Sequence, residues 1–235
     1  MIIGICDDIR EEAMKLKSVC EDLGETDIRV FSSSEQLLSS TELQHLDLLF
    51  LDIELKGDSK NGIEIKEILE THTPSVFIVF CTTHEELMPE AFGKNVLFFL
   101  SKPFSTQSVK KCLVHASYLK KDFALIPVNN ADSIMSKDIL YLNFEQKYTI
   151  FYSIDGRSLL SRQSISDWAA VLKEQGFCRI SRSTIINLKH YVRYIPDKYT
   201  ILLHNNTWVA ISRRYVTDFK KEFHAYQTEI LNNGI

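Results

Sequence analysis

The first half of the chain alternates short apolar runs with longer segments of helical periodicity. The five runs lie near positions 2–6, 28–31, 46–51, 76–80 and 96–100. Runs of this length are typical of strands that are buried on both faces of a sheet. The segments between them repeat apolar residues three and four positions apart, as in helices that cover a sheet. Because such alternation implies right-handed crossovers, we predict a five-stranded doubly wound parallel sheet in residues 1–121.

The second half has a different character. Short β-type segments follow one another, with turn chemistry at Asp155-Gly156 and Asn205-Asn206. Helices are predicted only over about 164–174 and 213–226. We therefore predict a smaller, mostly β domain over residues 124–235.

The charges of the two halves are opposite. Residues 1–121 hold 20 acidic and 13 basic side chains, whereas residues 122–235 hold 11 acidic and 14 basic ones. Such an asymmetry is typical of two domains with different partners.

Several classes of protein are disfavoured by composition. No apolar run approaches the roughly 20 residues that span a bilayer, and no basic leader precedes the first run, so we expect neither membrane contact nor secretion. The five cysteines include no C-x-x-C pair, which indicates reduced thiols in a cytoplasmic protein. The seven histidines include no H-x-x-x-H pair, which disfavours a zinc site.

Polar groups follow four of the predicted strands. Asp7 and Asp8 follow the first strand, Asp52 the third, Thr82 the fourth and Lys102 the fifth. Ligands of open α/β sheets bind at the carboxyl ends of strands. Three carboxylates, a hydroxyl and an ammonium at that edge would form a site for a divalent metal and a phosphoryl group.

Each of these signals has an ordinary alternative. Asp8 with Glu11 fits a helix N-cap and capping box. Asp52 could cap a strand end, and Lys102-Pro103 could be a plain turn. The order of the groups along the chain, more than any single residue, favours the phosphoryl site.

With these residues in this order, residues 1–121 resemble a response-regulator receiver domain, which has a flavodoxin-like fold. The resemblance implies that Asp52 accepts a phosphoryl group from a sensor histidine kinase, and that Lys102 and Thr82 bind the phosphoryl oxygens. It implies autocatalysed phosphoryl transfer and slow dephosphorylation, and no other enzymatic activity. It also implies a Mg²⁺ site formed by Asp7, Asp8, Asp52 and the main-chain carbonyl of Glu54.

Two features depart from the receiver pattern. Phe99 occupies the aromatic switch position, where many family members have tyrosine; a core phenylalanine is the alternative interpretation. The segment 54–62 is longer than the usual turn and changes the geometry on the metal side of the site.

Residues 124–230 resemble a LytTR-type DNA-binding domain. The resemblance depends on the segments 138–141 (DILY), 177–188 (FCRISRSTIINL) and 209–221 (VAISRRYVTDFKK). It implies that double-stranded DNA is bound at promoter direct repeats by a homodimer that forms on phosphorylation. The candidate DNA-contacting residues are Lys147, Tyr148, Arg182, Ser183, Arg213 and Arg214.

Other interpretations stay open at this point. Arg213 and Arg214 could simply begin a solvated helix, and Arg179 could be structural. The pair Asp52 and Glu54 faintly resembles the motif of aspartyl-phosphate hydrolases, which need a second aspartate where Glu54 stands. A receiver that controls an RNA- or protein-binding domain is a third alternative.

Overall fold

The computed structural model describes residues 1–73 and 75–233, and it divides into two compact units, Met1–Tyr118 and Leu119–Ile235. The domain limits at 121 and 124 stay a prediction, and the limit at 235 lies outside the described residues.

The first unit confirms the predicted doubly wound sheet. Its five strands are all parallel and follow the order β2-β1-β3-β4-β5. The carboxyl ends of the strands therefore lie along one edge of the sheet. The elements of this unit are β1 Ile2–Cys6, α1 Arg10–Asp22, β2 Asp27–Phe31, α2 Ser34–Ser39, β3 Leu48–Asp52, α3 Gly62–His72, β4 Phe77–Thr82, α4 Met88–Ala91, β5 Val96–Ser101 and α5 Thr106–Asp122.

Two apolar layers hold this sheet, one on each face. Helices α1 and α5 cover one face, and α2, α3 and α4 cover the other. Every residue of β3 is buried, which agrees with its position in the middle of the sheet. A strand without an exposed face has no need of polar alternation, so its sequence is a continuous apolar run that ends at Asp52.

Two helices of the first unit begin in ways that their sequences did not indicate. Helix α1 has Ile9 as its N-cap, without a side-chain cap hydrogen bond, so the alternative interpretation of Asp8 and Glu11 as a capping box is wrong. The helical segment expected between the fourth and fifth strands is divided into a 3₁₀ turn at Glu85–Leu87 and the four-residue α4. A proline lies within the first turn of α4.

The second unit is mostly β, as predicted. It contains a five-stranded sheet in the order β10-β9-β8-β12-β11, a three-stranded sheet β13-β14-β15 and the hairpin β6-β7. The hairpin was not predicted. The elements are β6 Leu125–Pro127, β7 Ser133–Met135, β8 Ile139–Glu145, β9 Tyr148–Ser153, β10 Ser158–Ser161, α6 Ile165–Val171, β11 Phe177–Arg179, β12 Thr184–Asn187, β13 Tyr191–Ile195, β14 Thr200–Leu203, β15 Trp208–Ala210 and α7 Val216–Asn233.

Two general features accompany this fold. All five cysteines are buried and free of disulfides. Among the described residues, no helix has the length and apolarity that crossing a membrane requires.

Candidate functional site

The three predicted aspartates come together at the carboxyl edge of the parallel sheet. One carboxylate oxygen from each of Asp7, Asp8 and Asp52 lies within 4.8 Å of the others. Asp7 and Asp52 are buried, whereas Asp8 is partly exposed. Asp8 and Asp52 line a pocket of about 320 Å³ together with Lys102. The arrangement is an acidic cavity that opens to solvent on the side of Asp8.

Lys102 joins two of these aspartates. Its Nζ donates to Asp7 Oδ2 at 2.6 Å and to Asp52 Oδ2 at 2.7 Å, and the Lys102-Pro103 peptide bond is cis. Burial opposes the charged ammonium, but the hydrogen bonds to Asp52 and Asp7 outweigh it and raise the pKa of Lys102. Burial raises the pKa of Asp52, against the opposing effect of Lys102.

Main-chain donors orient the three carboxylates. Asp7 Oδ1 accepts the N–H of Ile9 at 2.9 Å, and Asp52 Oδ1 accepts the N–H of Glu54 at 3.1 Å. Asp8 Oδ2 accepts the N–H of Lys56 at 3.3 Å, across the gap between two loops. Because each aspartate has its own backbone partner, the cluster is held in place before any ligand binds.

Thr82 is the last residue of β4 and does not line the pocket itself, whereas the next residue, Thr83, does. Thr82 is fully buried, and its Oγ1 accepts the N–H of His84 at 2.9 Å. Its carbonyl oxygen accepts the N–H of Lys102 at 2.9 Å, so the ends of β4 and β5 are tied together beside the site.

The pocket is also lined by His84, which was not among the residues predicted from the sequence. Its Nε2 is 3.2 Å from Glu54 Oε2, and its Nδ1 is 2.8 Å from Glu86 Oε1. The hydrogen bond to Glu86 raises the pKa of this partly exposed imidazole, and the charge of Glu54 acts in the same direction. His84 follows a strand without any spacing pattern, so no sequence signal marks it.

Phe99 lies on β5 between two other aromatic rings. It stacks on Phe80 with ring centroids 5.6 Å apart and meets the edge of Phe92 at 5.1 Å. Phe92 is 67% exposed, so one side of this aromatic group faces solvent. Phe99 itself is partly buried, between the buried Phe80 and the exposed Phe92.

The long 54–62 segment is held at its middle and at its end. Asp58 Oδ2 accepts the N–H of Ser34 at 2.7 Å. At its end, a Cβ added to Gly62 would lie 2.3 Å from the carbonyl oxygen of Asp52, so only glycine allows this approach. The greater length of the segment is thus accommodated by a side-chain brace and a close backbone contact.

The candidate DNA-contacting residues of the second unit lie on three turns, except for the exposed Tyr148, which is the first residue of β9. Arg182 is exposed in the 181–183 loop between β11 and β12. Lys147 has a positive φ of 74° in the two-residue turn between β8 and β9. Arg213 and Arg214 lie on a 3₁₀ turn before α7, each 5.0 Å from an aromatic ring.

Backbone hydrogen bonds connect these turns. The N–H of Phe144, near the β8–β9 turn, donates to the carbonyl of Ser183 at 2.8 Å. The N–H of Ser212, just before Arg213, donates to the carbonyl of Ile180 at 3.0 Å. The segment 180–183 between β11 and β12 is therefore hydrogen-bonded both to the end of β8 and to the residue that precedes Arg213.

Comparison with known families supports a division of the chain into two parts. Residues 3–113 match the response regulator receiver domain, and residues 133–224 match the LytTR DNA-binding domain.

Similar curated proteins extend over most of the chain. The transcriptional regulatory protein NatR of Bacillus subtilis is 26% identical over 236 residues, with 94% of this chain and 98% of NatR covered. The sensory transduction protein LytT of Bacillus cereus is 27% identical over 224 residues, with 86% and 87% covered.

Solved structures match one part at a time. The LytTR DNA-binding domain of a Bacillus cereus methyl-accepting/DNA response regulator is 21% identical, with a TM-score of 0.39; 42% of this chain and 95% of that chain are covered. The receiver domain of NtrX from Brucella abortus is 21% identical, with a TM-score of 0.45; 48% and 96% are covered.

Proposed function

The chain belongs to the response regulators that join a receiver domain to a LytTR DNA-binding domain, and we propose that phosphorylation of Asp52 by a sensor histidine kinase controls its binding to DNA. One observation carries the proposal: Asp7, Asp52 and the Lys102 ammonium are bonded together beside an open pocket at the carboxyl edge of the sheet. As a DNA-binding regulator, the protein acts in the cytoplasm.

Asp52 is the phosphoryl acceptor in this proposal. An oxygen of Asp52 forms a bond to phosphorus while the bond from phosphorus to the kinase histidine breaks, and the electron pair stays with the histidine nitrogen. The N–H of Glu54 and the ammonium of Lys102 hold the two oxygens of Asp52 in place for the attack. Lys102 then pairs with the transferred group, because its ammonium already lies beside the acceptor oxygen.

The donor set fits a hard divalent cation. Carboxylate oxygens are the ligands that Mg²⁺ prefers, and one ammonium offsets only part of the charge of three carboxylates. Asp7, Asp8, Asp52 and the main-chain carbonyl of Glu54 would hold the ion. When bound, Mg²⁺ supplies positive charge that offsets repulsion between the aspartates and the incoming phosphoryl oxygens.

In this proposal, Thr82 and Phe99 transmit the effect of Asp52 phosphorylation to the dimerisation surface of the receiver. The hydroxyl of Thr82 turns toward the phosphoryl oxygens, and Phe99 moves into the space that this movement opens. The half-buried position of Phe99 between Phe80 and Phe92 supports such a change, since little packing has to be broken on its exposed side. A second receiver then pairs with the first, and the homodimer brings two DNA-binding domains together.

The output is proposed to be binding of two such domains to promoter direct repeats. The second domain then binds at a high effective concentration, so dimerisation alone strengthens binding. Lys147, Tyr148, Arg182, Ser183, Arg213 and Arg214 provide the contacts, and their connected turns support a single continuous interface.

The test uses the full chain with acetyl phosphate and Mg²⁺. We expect a mass increase of one phosphoryl group, dimerisation in sedimentation, and tighter binding to a duplex selected by the wild-type chain from a random library. Asp52→Asn should lose all three responses, whereas Asp22→Asn, at an exposed position at the end of α1, should keep them. Dimerisation of the Asp52→Asn chain on treatment would show that the proposal is wrong.

A further inference from the structure

Arg179 makes three hydrogen bonds within the second unit, although it carries the charge of a DNA-binding residue. It stands at the end of β11, next to the 181–183 loop. Its Nε donates to the carbonyl of Ser181 at 3.0 Å, and one terminal nitrogen donates to the carbonyl of Arg182 at 2.7 Å. The other terminal nitrogen donates to the Ser166 hydroxyl, on α6, at 3.2 Å. All three guanidinium nitrogens therefore have partners within the protein.

We propose that Arg179 is a positioning residue that sets the conformation of the 181–183 loop for DNA recognition, without contacting DNA itself. The inference rests on the proposed DNA-binding function and deepens it. Two successive carbonyls of the loop face the same guanidinium, which fixes the path of the backbone that carries Arg182. Because Arg182 is exposed while its own carbonyl is held by Arg179, the backbone is fixed and the side chain stays available.

A second set of bonds holds the loop from the opposite side. The Ser181 hydroxyl accepts the N–H of Ser183 at 3.0 Å and donates to Thr184 Oγ1 at 2.9 Å. Thr184 in turn donates to Asn143 Oδ1, on β8, at 3.0 Å. The loop is thus fixed between α6, through Arg179, and β8, through Thr184. Fixing a loop before binding lowers the entropy that binding has to overcome.

The geometry requires arginine at this position. A planar guanidinium presents its donors as a rigid fork, whereas a lysine ammonium is a single point on a flexible stem. Arg179→Lys keeps the charge, but a single ammonium cannot reach the two carbonyls and the Ser166 hydroxyl together. A residue that contacts phosphate would tolerate this change far better, so Arg179→Lys separates positioning from contact.

The experiment compares four full-length variants with the wild-type chain: Arg179→Lys, Arg179→Ala, Ser166→Ala and Arg182→Ala. Hydrogen exchange of residues 181–184 is measured without DNA. Affinity is measured for the duplex selected by the wild-type chain and for random duplex, at several salt concentrations. Thermal unfolding identifies any variant that has lost its fold. Ser166→Ala keeps the charge unchanged and removes one bond to Arg179 at an exposed position.

We expect Arg179→Lys and Arg179→Ala to speed hydrogen exchange at the Ser183 N–H and to lower the preference for selected over random DNA about ten-fold. The slope of log affinity against log salt concentration (the salt slope) should not change. Ser166→Ala should change the exchange rate and the DNA preference in the same direction, but by less. Arg182→Ala should instead lower the slope or the base preference without changing exchange at the loop.

Unchanged exchange in both Arg179 variants would overturn the inference. So would a salt slope lowered by about one in Arg179→Ala but kept in Arg179→Lys, since that is the behaviour of a phosphate contact. A wild-type chain that shows no preference for any DNA would overturn the proposed function itself. The DNA measurements on the wild-type chain alone reveal this failure, so it cannot be confused with a failure of the inference about Arg179.

Discussion

Asp8 is the one residue of the acidic cluster that faces solvent and is not bonded to Lys102 in the described contacts. We expect Mg²⁺ to raise the melting temperature of the chain and Asp8→Asn to remove most of the rise. A ligand stabilises by about 2.7 kcal/mol at one hundred times its dissociation constant. Thermal unfolding with Mg²⁺ or EDTA measures the effect. Asp22→Asn serves as the control, and an equal rise in both variants would contradict the proposed site.

His190 is a buried histidine that should make stability depend on pH. It is 4% exposed, its Nε2 is 2.7 Å from the carbonyl oxygen of Lys137, and its Nδ1 is buried without a partner among the described residues. Burial lowers its pKa from 6.5, and His204 and Lys189 act in the same direction, while the Lys137 carbonyl and Asp122 oppose them. The folded chain therefore binds this proton more weakly than the unfolded chain.

The free energy of unfolding should fall as the pH drops below about 6.5, and level off below the folded-state pKa of His190. Urea denaturation between about pH 5 and pH 7.5 measures the slope, and His190→Asn should reduce it. His224→Asn changes an exposed histidine on α7 and should leave the slope as it is. An unchanged slope in His190→Asn would refute the assignment.

The turn between β8 and β9 is made of two residues that rarely adopt its backbone conformation. Gln146 and Lys147 have φ values of 48° and 74°, a combination for which asparagine and glycine are the usual residues. Gln146→Asn should stabilise the chain by about 0.5–1 kcal/mol, because asparagine tolerates positive φ at lower cost. Lys147 is retained, so DNA affinity should not change.

Chemical denaturation tests this stabilisation. The matched change Gln163→Asn lies in the turn before α6, where φ is not positive, and should give no gain. A gain of equal size at both positions would mean that the turn conformation is not its cause.

The strands of the first unit could be predicted from sequence because burial on both faces leaves a plain apolar run, as in β3. The hairpin β6–β7 could not, since each strand has only three residues and Leu125 and Met135 are exposed. The position of Asp7, Asp8, Asp52 and Lys102 directly after predicted strands was enough to predict that these groups share one edge of the sheet. The pairing of Lys102 with both Asp7 and Asp52 depends on side-chain packing that no spacing rule contains.

In the second unit, too, the sequence identified candidate residues but not the contacts between them. Sequence identified three basic stretches, whereas the bonds that connect them involve the main chain of Phe144, Ile180, Ser183 and Ser212. Backbone donors and acceptors are common to almost all residues, so no residue type marks such a contact. The guanidinium bonds of Arg179 were likewise not readable from the sequence.

At the scale of the whole molecule, the net charge of −4 conceals the basic excess of the second half. Binding to DNA should therefore weaken as salt rises, because basic residues displace counterions from the phosphates. The double change Arg213→Gln with Arg214→Gln should lower the slope of log affinity against log salt by about two. Fluorescence anisotropy with a labelled duplex measures it.

Arg162→Gln provides the control for that experiment, since it removes one exposed arginine from the turn before α6. Its slope should equal that of the wild-type chain. An unchanged slope in the double variant would mean that Arg213 and Arg214 do not contact DNA phosphates and only form the solvent-exposed start of a helix.

The main-chain hydrogen bonds near the three basic turns distinguish side chains that can be substituted from a backbone arrangement that must be kept. Since main-chain atoms make these connections, the exposed side chains at the tips of the turns can be exchanged without loosening the framework. Relatives of this chain could therefore diverge toward different promoters by substitution at a few surface positions. An insertion or deletion near residue 181, by contrast, would break both hydrogen bonds at once. Homologues should therefore tolerate substitutions in this loop but not a change in its length.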